Sequence, residues 1–135
     1  LGEHFSWFFN DYKVHKNDND FQFVHTVVKE SKTTSNFIKY MNPILNKLNA
    51  QKTIKVKLNL QTKKDKIYNH VFHIDVPNVT TSIFYINNNN GPTVIGKKSI
   101  LPKENRAVLF DPSIPHHSSS CSDQQVRITV TFNYF

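Results

Sequence analysis

Two imidazoles and a carboxylate form a candidate donor set. His73 and Asp75 flank Ile74 in the run HVFHIDV, and the run PHH at 115–117 supplies another imidazole far downstream. In an extended strand alternate residues share one face, so His73 and Asp75 would stand about 7 Å apart along the backbone with both side chains on the same side. Both could then converge on one ion. Cys121 is the single cysteine, which excludes a thiolate cluster, an internal disulfide and a paired redox motif. A metal here must be held by nitrogen and oxygen. Two histidines and one carboxylate on one face of an octahedron, with the other positions open, is the ligand set of non-haem ferrous iron. A His-x-Asp triplet also arises by chance, and a metal assignment needs ligand number and geometry together.

The elements that must position these groups are mostly strands. From Thr53 onward the pattern has period two, in short runs rich in Val, Ile, Thr, Phe and Tyr: TIKVKLNLQ, YNHVFHIDV, TTSIFYI, TVIG, AVLF and VRITVTFNYF. The last run places Arg127, Thr129, Thr131 and Asn133 on one face and Ile128, Val130, Phe132 and Tyr134 on the other. A guanidinium on that polar face could grip a carboxylate with two parallel hydrogen bonds, although an isolated strand arginine is usually an exposed ion-pair partner. Upstream lie an aromatic cluster (Phe5, Trp7, Phe8, Phe9), a strand-like run at 21–28, and an apolar helical stripe of Phe37, Met41, Ile44, Leu45 and Leu48. Ser35 reads as the helix N-cap and Pro43 as a kink or restart. The four asparagines Asn87 to Asn90, ending in Gly91 and Pro92, read as a turn between strands. Many short strands behind a helical layer suit a mainly β jelly roll (double-stranded β-helix, cupin-like), whose interior can hold a small ligand. A plain β-sandwich would give the same pattern.

The 135 residues suit one domain, with 1–52 as a supporting strand and helix and 53–135 as the jelly-roll core. No run approaches the roughly 20 apolar residues of a membrane span, and LGEHFSWFF lacks the basic region of a secretory signal, so the expectation is a soluble cytoplasmic protein. The chain begins with Leu1 rather than Met, and further residues could precede it. The net charge of +7 keeps nucleic acid among the candidate partners, although the lysines are spread along the chain.

The order of these parts resembles the prolyl-4-hydroxylase-like branch of the 2-oxoglutarate- and Fe(II)-dependent oxygenases, especially its small bacterial and phage members, over residues 54–135. The resemblance rests on His73-Ile74-Asp75, the run at 80–87 with its turn, the short strand at 91–95, and AVLFDPSIPHH followed by VRITVTFN. It implies Fe(II) held by His73, Asp75 and His116, with 2-oxoglutarate and O2 as co-substrates and ascorbate as an accessory reductant. It implies that Arg127 pairs with the C5 carboxylate of 2-oxoglutarate, helped by Tyr85 with Thr81 as a neighbour, and that Asn59 touches the co-substrate's other end. His116 is preferred to His117 because it directly follows Pro115, as in the family; a one-residue slip would exchange their facing. The implied reaction hydroxylates a prolyl or other amino-acid side chain, or a metabolite, while 2-oxoglutarate is decarboxylated to succinate. Pro92 stands where many members have a second glycine, and the N-terminal third matches weakly. Three other readings stay open: a non-enzymatic jelly-roll binding module, a zinc or manganese cupin-like enzyme with no need for Arg127, and an oxygenase acting on nucleic acid.

Overall fold

Alternation along the C-terminal strand sorts the molecule into an apolar side and a polar side. The structure, a computed structural model, describes residues 4–14, 16 and 20–135. In chain order the elements are β1 (Phe8–Asn10), β2 (Gln22–Lys29), β3 (Lys32–Thr33), α1 (Ile38–Lys47), β4 (Thr53–Thr62), β5 (Thr80–Tyr85), β6 (Thr93–Ile95), β7 (Lys98–Ile100), β8 (Arg106–Phe110), β9 (His116–His117) and β10 (Val126–Tyr134). A seven-stranded sheet runs β1-β2-β4-β10-β5-β8, with β3 paired to β2, and a three-stranded sheet runs β7-β6-β9. All the pairings are antiparallel.

Val130, Phe132 and Tyr134 are buried on one side of β10, against Val56 and Leu58 of β4, Val27 and Val28 of β2, and Met41 and Leu45 of α1. The helix is held there by its apolar stripe, which outweighs the backbone bond that Pro43 forfeits in its interior. Phe5 and Trp7 pack on the same cluster, whereas Phe8 and Phe9 are exposed. On the opposite side the register aligns Arg127 with Gln61, Thr129 with Asn59 and Thr131 with Lys57. An antiparallel sheet commonly leaves its polar face to water. Here the smaller sheet covers part of that face, and Ile83 and Tyr85 of β5, Ile95 of β6 and Phe110 of β8 form a second apolar cluster. The result is a mainly β double-stranded β-helix with a short helix packed outside.

Three local expectations change. The helix begins at Ile38 rather than Ser35; Phe37 occupies the cap position, and the Ser35 hydroxyl instead accepts the Phe37 N–H and hydrogen-bonds to His25 Nε2. The strand expected over 68–76 is absent: residues 63–79 are irregular, touching 116–120 through two isolated bridges, Asn69 with Ser119 and His73 with His116. Its partner β9 is only two residues long, too short to extend a ladder. β7, which the pattern did not reveal, completes a hairpin with β6 around the positive-φ residue Gly96.

Because Leu58 is fully buried between sheet and helix, Leu58→Ala should lower unfolding stability by about 2 to 5 kcal/mol, read from the urea midpoint.

Candidate metal centre and its cavity

The site begins with a backbone contact. His73 N–H donates to the His116 carbonyl at 2.9 Å, and His116 N–H returns a bond to the His73 carbonyl at 3.0 Å. This reciprocal exchange defines a hydrogen-bonded antiparallel pair, in which directly opposite side chains leave the same face. The two rings accordingly lie 4.4 Å apart between centroids. Asp75, two residues beyond His73, reaches both: Oδ1 is 3.3 Å from His73 Nε2, and Oδ2 is 3.6 Å from His116 Nε2. One donor atom from each of the three residues lies within 4.8 Å of the others. Adjacent vertices of an octahedron with bonds of about 2.1 Å are about 3 Å apart, so the imidazole–carboxylate spacings need little closure to embrace one ion.

Ring orientation matters as much as spacing. His73 Nδ1 lies 3.2 Å from the Val71 carbonyl, which favours a proton on Nδ1 and leaves Nε2 as the donor toward the cluster. Phe110 packs edge-on against His116 at 4.7 Å, and His116 Nδ1 is buried with no hydrogen-bond partner among the described residues. His117 sits elsewhere: its ring meets Phe72 edge-on at 4.5 Å and its Nδ1 contacts the Ser118 carbonyl at 2.9 Å. Burial works to raise the Asp75 carboxyl, but hydrogen bonds from His116 and His73, with the charges of His116 and Lys55, hold it well below the usual carboxylate range. For His73 burial works downward and is outweighed by Asp75, so its imidazole is raised.

The cluster opens into a cavity of about 480 Å³ between the two sheets, whose lining includes Lys55, Lys57, Asn59, Gln61, Thr129 and Arg127. Arg127 is 2% exposed. Its Nε donates to the Gly91 carbonyl at 3.0 Å and one terminal nitrogen to Thr93 Oγ1 at 2.8 Å, so it ties β10 to β6 across the interior. No carboxylate among the described residues pairs with it. Burial lowers its pKa to about 10 from 12.5, with Tyr85 and Cys121 opposing, so its charge is held at a cost on the order of 3 kcal/mol. A fully buried guanidinium facing a cavity without a counter-ion is poised for an anion.

The structure therefore brings His73, Asp75, His116, Arg127 and Asn59 to one cavity. It does not bring Thr81 or Tyr85 to the cavity wall. Thr81 Oγ1 accepts from Asn133 Nδ2 at 3.0 Å inside the sheet interface. The fully buried Tyr85 hydroxyl makes no well-formed hydrogen bond, and burial pushes its phenol up against the pull of Thr93 and Arg127. Lys55, Lys57, Gln61 and Thr93 escaped sequence reasoning. For the three β4 residues the signal was the register against β10, which puts Lys57 opposite Thr131 and Gln61 opposite Arg127. A second group flanks the cavity: Lys13 Nζ is 2.6 Å from Asp20 and 2.9 Å from His70 Nε2. Since the ammonium can only donate, His70 accepts through Nε2 and is neutral.

No family model matches the sequence. No curated protein matches it either. Solved structures do share its fold. The chain superposes on an oxidoreductase of the 2OG-Fe(II) oxygenase family from Burkholderia pseudomallei with a TM-score of 0.64 at 11% identity, covering 89% of this chain and 68% of that one. A prolyl hydroxylase from Trichoplax adhaerens, in complex with a hypoxia inducible factor oxygen degradation domain peptide fragment, gives 0.59 at 18% identity, with 84% and 62% covered. A cupin-like protein from Thermotoga maritima gives 0.54 at 12% identity, with 84% and 68% covered. The chain thus spans roughly two thirds of the length of these neighbours. Together the fold and site define a double-stranded β-helix protein with a His-Asp-His cluster in its cavity. No helix of the described residues is long and apolar enough to cross a membrane.

Two outcomes follow for the apoprotein. A Cβ at position 91 would lie 2.5 Å from the Ser120 carbonyl oxygen and 3.1 Å from Arg127 Cδ, so Gly91→Ala should destabilise by about 1 to 3 kcal/mol, measured by thermal melting. Burial, then the Lys13 charge, lowers the His70 pKa from 6.5 to about 3 against the pull of Asp20. The unfolded chain then binds one more proton than the folded one within that window. Stability should fall by about 1.4 kcal/mol per pH unit from this group as pH drops from 6.5 toward 3, and His70→Gln should flatten that slope in urea titrations.

Proposed function

We propose that this protein is an Fe(II)- and 2-oxoglutarate-dependent oxygenase. The observation that carries this reading is the pairing, in one cavity, of the His73–Asp75–His116 cluster with the buried, carboxylate-free guanidinium of Arg127. In this reading His73, Asp75 and His116 hold the metal, and Arg127 holds the distal carboxylate of the co-substrate. Bound Fe(II) with 2-oxoglutarate and O2 would supply oxidation of an unactivated C–H bond, coupled to decarboxylation to succinate.

The chain's own residues would do the positioning. Asp75 contributes the anionic donor and the two imidazoles stay neutral, which leaves one negative charge from protein against a divalent ion. Arg127, fixed by Gly91 and Thr93, would orient the co-substrate without rearranging and would regain the charge stabilisation lost to burial. Asn59, on the cavity wall with only long contacts of 3.5 Å to the Lys57 carbonyl and to Thr131, is free to turn a polar group inward. Ile83 supplies an apolar wall that limits water. An amino-acid side chain, prolyl included, is the substrate supported by likeness to the Trichoplax adhaerens enzyme, which holds a peptide. A cupin-like enzyme without a keto acid would use the same metal cluster, but would leave the buried charge of Arg127, which bridges β10 to β6, without an anion.

Anaerobic addition of Fe(II) and 2-oxoglutarate should produce a weak visible charge-transfer band, lost in His73→Ala and Asp75→Ala. In Arg127→Met the 2-oxoglutarate concentration for half-saturation should rise at least 30-fold, as expected when one partner of a buried ion pair, worth about 2 to 5 kcal/mol, is removed. A wild-type protein without the band, or an Arg127→Met protein that saturates normally, would sink this assignment.

A further inference from the structure

Lys55 and Lys57 alternate with Val56 on β4, so both project from its cavity face, about 7 Å apart along the strand. Like charges at this spacing repel, and neither ammonium lies within ion-pair distance of a carboxylate among the described residues. Asp75 is the nearest candidate in charge, since it acts on Lys57 and is acted on by Lys55. Both of its oxygens, however, already face imidazoles. Burial, then repulsion from Lys55, lowers the Lys57 pKa, with Asp75 opposing. A strand lysine ordinarily relieves such stress by reaching into water. Lys57 is instead partly buried in the cavity wall, opposite Thr131 of β10.

The cavity's charge balance shows what is missing. Among the described residues its lining cations are Lys13, Lys55, Lys57 and Arg127, and its lining carboxylate is Asp75. Lys13 is matched by Asp20 at 2.6 Å. Under the oxygenase reading, on which this inference rests, one co-substrate carboxylate matches Arg127. The other, with Asp75, matches the two charges of Fe(II). Lys55 and Lys57 are then left over, on the wall of the cavity into which the cluster opens.

We propose that Lys55 and Lys57 are substrate-recognition residues, and that the substrate carries an anionic group, a carboxylate or a phosphate, close to the C–H bond it presents. Ile74 and Val76 line the same cavity and give the substrate an apolar surface beside that anion. The lysines set specificity by charge: an uncharged analogue of equal shape leaves two facing ammonium groups desolvated and unpaired.

The test uses protein loaded with Zn(II) as a redox-silent metal and saturating 2-oxoglutarate. Hexanoate, its neutral counterpart hexanamide and inorganic phosphate are titrated separately and followed by ligand-observed NMR. At least one anion should bind ten-fold or more tightly than hexanamide, and whether hexanoate or phosphate does so identifies the group. Lys57→Met should cut the preference to under three-fold, and Lys55→Met should weaken it in the same direction. The half-saturation for 2-oxoglutarate, read from the Fe(II) visible band, should move less than three-fold in either variant. No anion preference in the wild-type protein overturns the proposal, as does a preference that survives in both variants. Equal loss of 2-oxoglutarate binding also overturns it, by assigning the lysines to the co-substrate. A wild-type protein that lacks the visible band but keeps a lysine-dependent anion preference overturns the oxygenase reading alone and leaves an anion site in place.

Discussion

The reciprocal pair of backbone hydrogen bonds between His73 and His116 is the contact on which the site depends. It joins a long irregular segment to a strand of only two residues, and neither would fix a side chain to a fraction of an ångström alone. The exchange of two N–H···O=C bonds sets both imidazoles on one face, and Asp75 is brought in by chain connectivity, two residues further on. Residues 63–79 are held to the 116–120 segment by few other contacts, among them His70 N–H to Ser118 and Ser120 N–H to Tyr68. Local order at the cluster is thus concentrated in a handful of main-chain bonds, while the body of the large sheet is stabilised separately by its apolar face.

The second constraint is the guanidinium that bridges the sheets. Arg127 can reach the Gly91 carbonyl and Thr93 only because Gly91 lets the chain pass against Ser120, where no side chain would fit. The bridge fixes the height of β6 relative to β10. Through the pairing of Ile95 with His116, it also fixes the height of the His73–Asp75–His116 cluster. One arginine therefore does two things: it sets the separation of the cluster from the cavity's far end, and it presents a buried charge with no carboxylate partner among the described residues.

Much of this was legible in residue types and alternation. The two faces of β10 could be read directly, because Arg127, Thr129 and Thr131 alternate without interruption with Val130 and Phe132, and a mainly β domain followed from many short period-two runs, which by themselves fit a jelly roll and a plain sandwich equally. The His-x-Asp pairing was legible as chemistry but not as geometry: its convergence comes from a bridge to a distant residue and not from a continuous strand. Thr81 and Tyr85 share a face with Arg127 in sheet register, yet Thr81 is turned to Asn133 and Tyr85 is enclosed by the second apolar cluster. Parity assigns a face; it does not say whether that face meets a cavity or a packed side chain. Lys55, Lys57 and Gln61 were invisible for the converse reason: polar residues alternating with apolar ones in TIKVKLNLQ read as an ordinary solvated face until another sheet covers it.

That covering encloses polar groups that an open sheet face would leave to water. In the cavity a guanidinium is buried without a carboxylate, two lysines share a strand face, and the Gln61 Oε1 and His116 Nδ1 atoms are enclosed without partners among the described residues. Each departure costs stability, and the guanidinium with the two lysines supplies excess positive charge toward one volume. That charge lies on the wall of the same cavity as the His73–Asp75–His116 cluster. The large apolar core beneath β10 and α1 carries the stability that lets these defects persist.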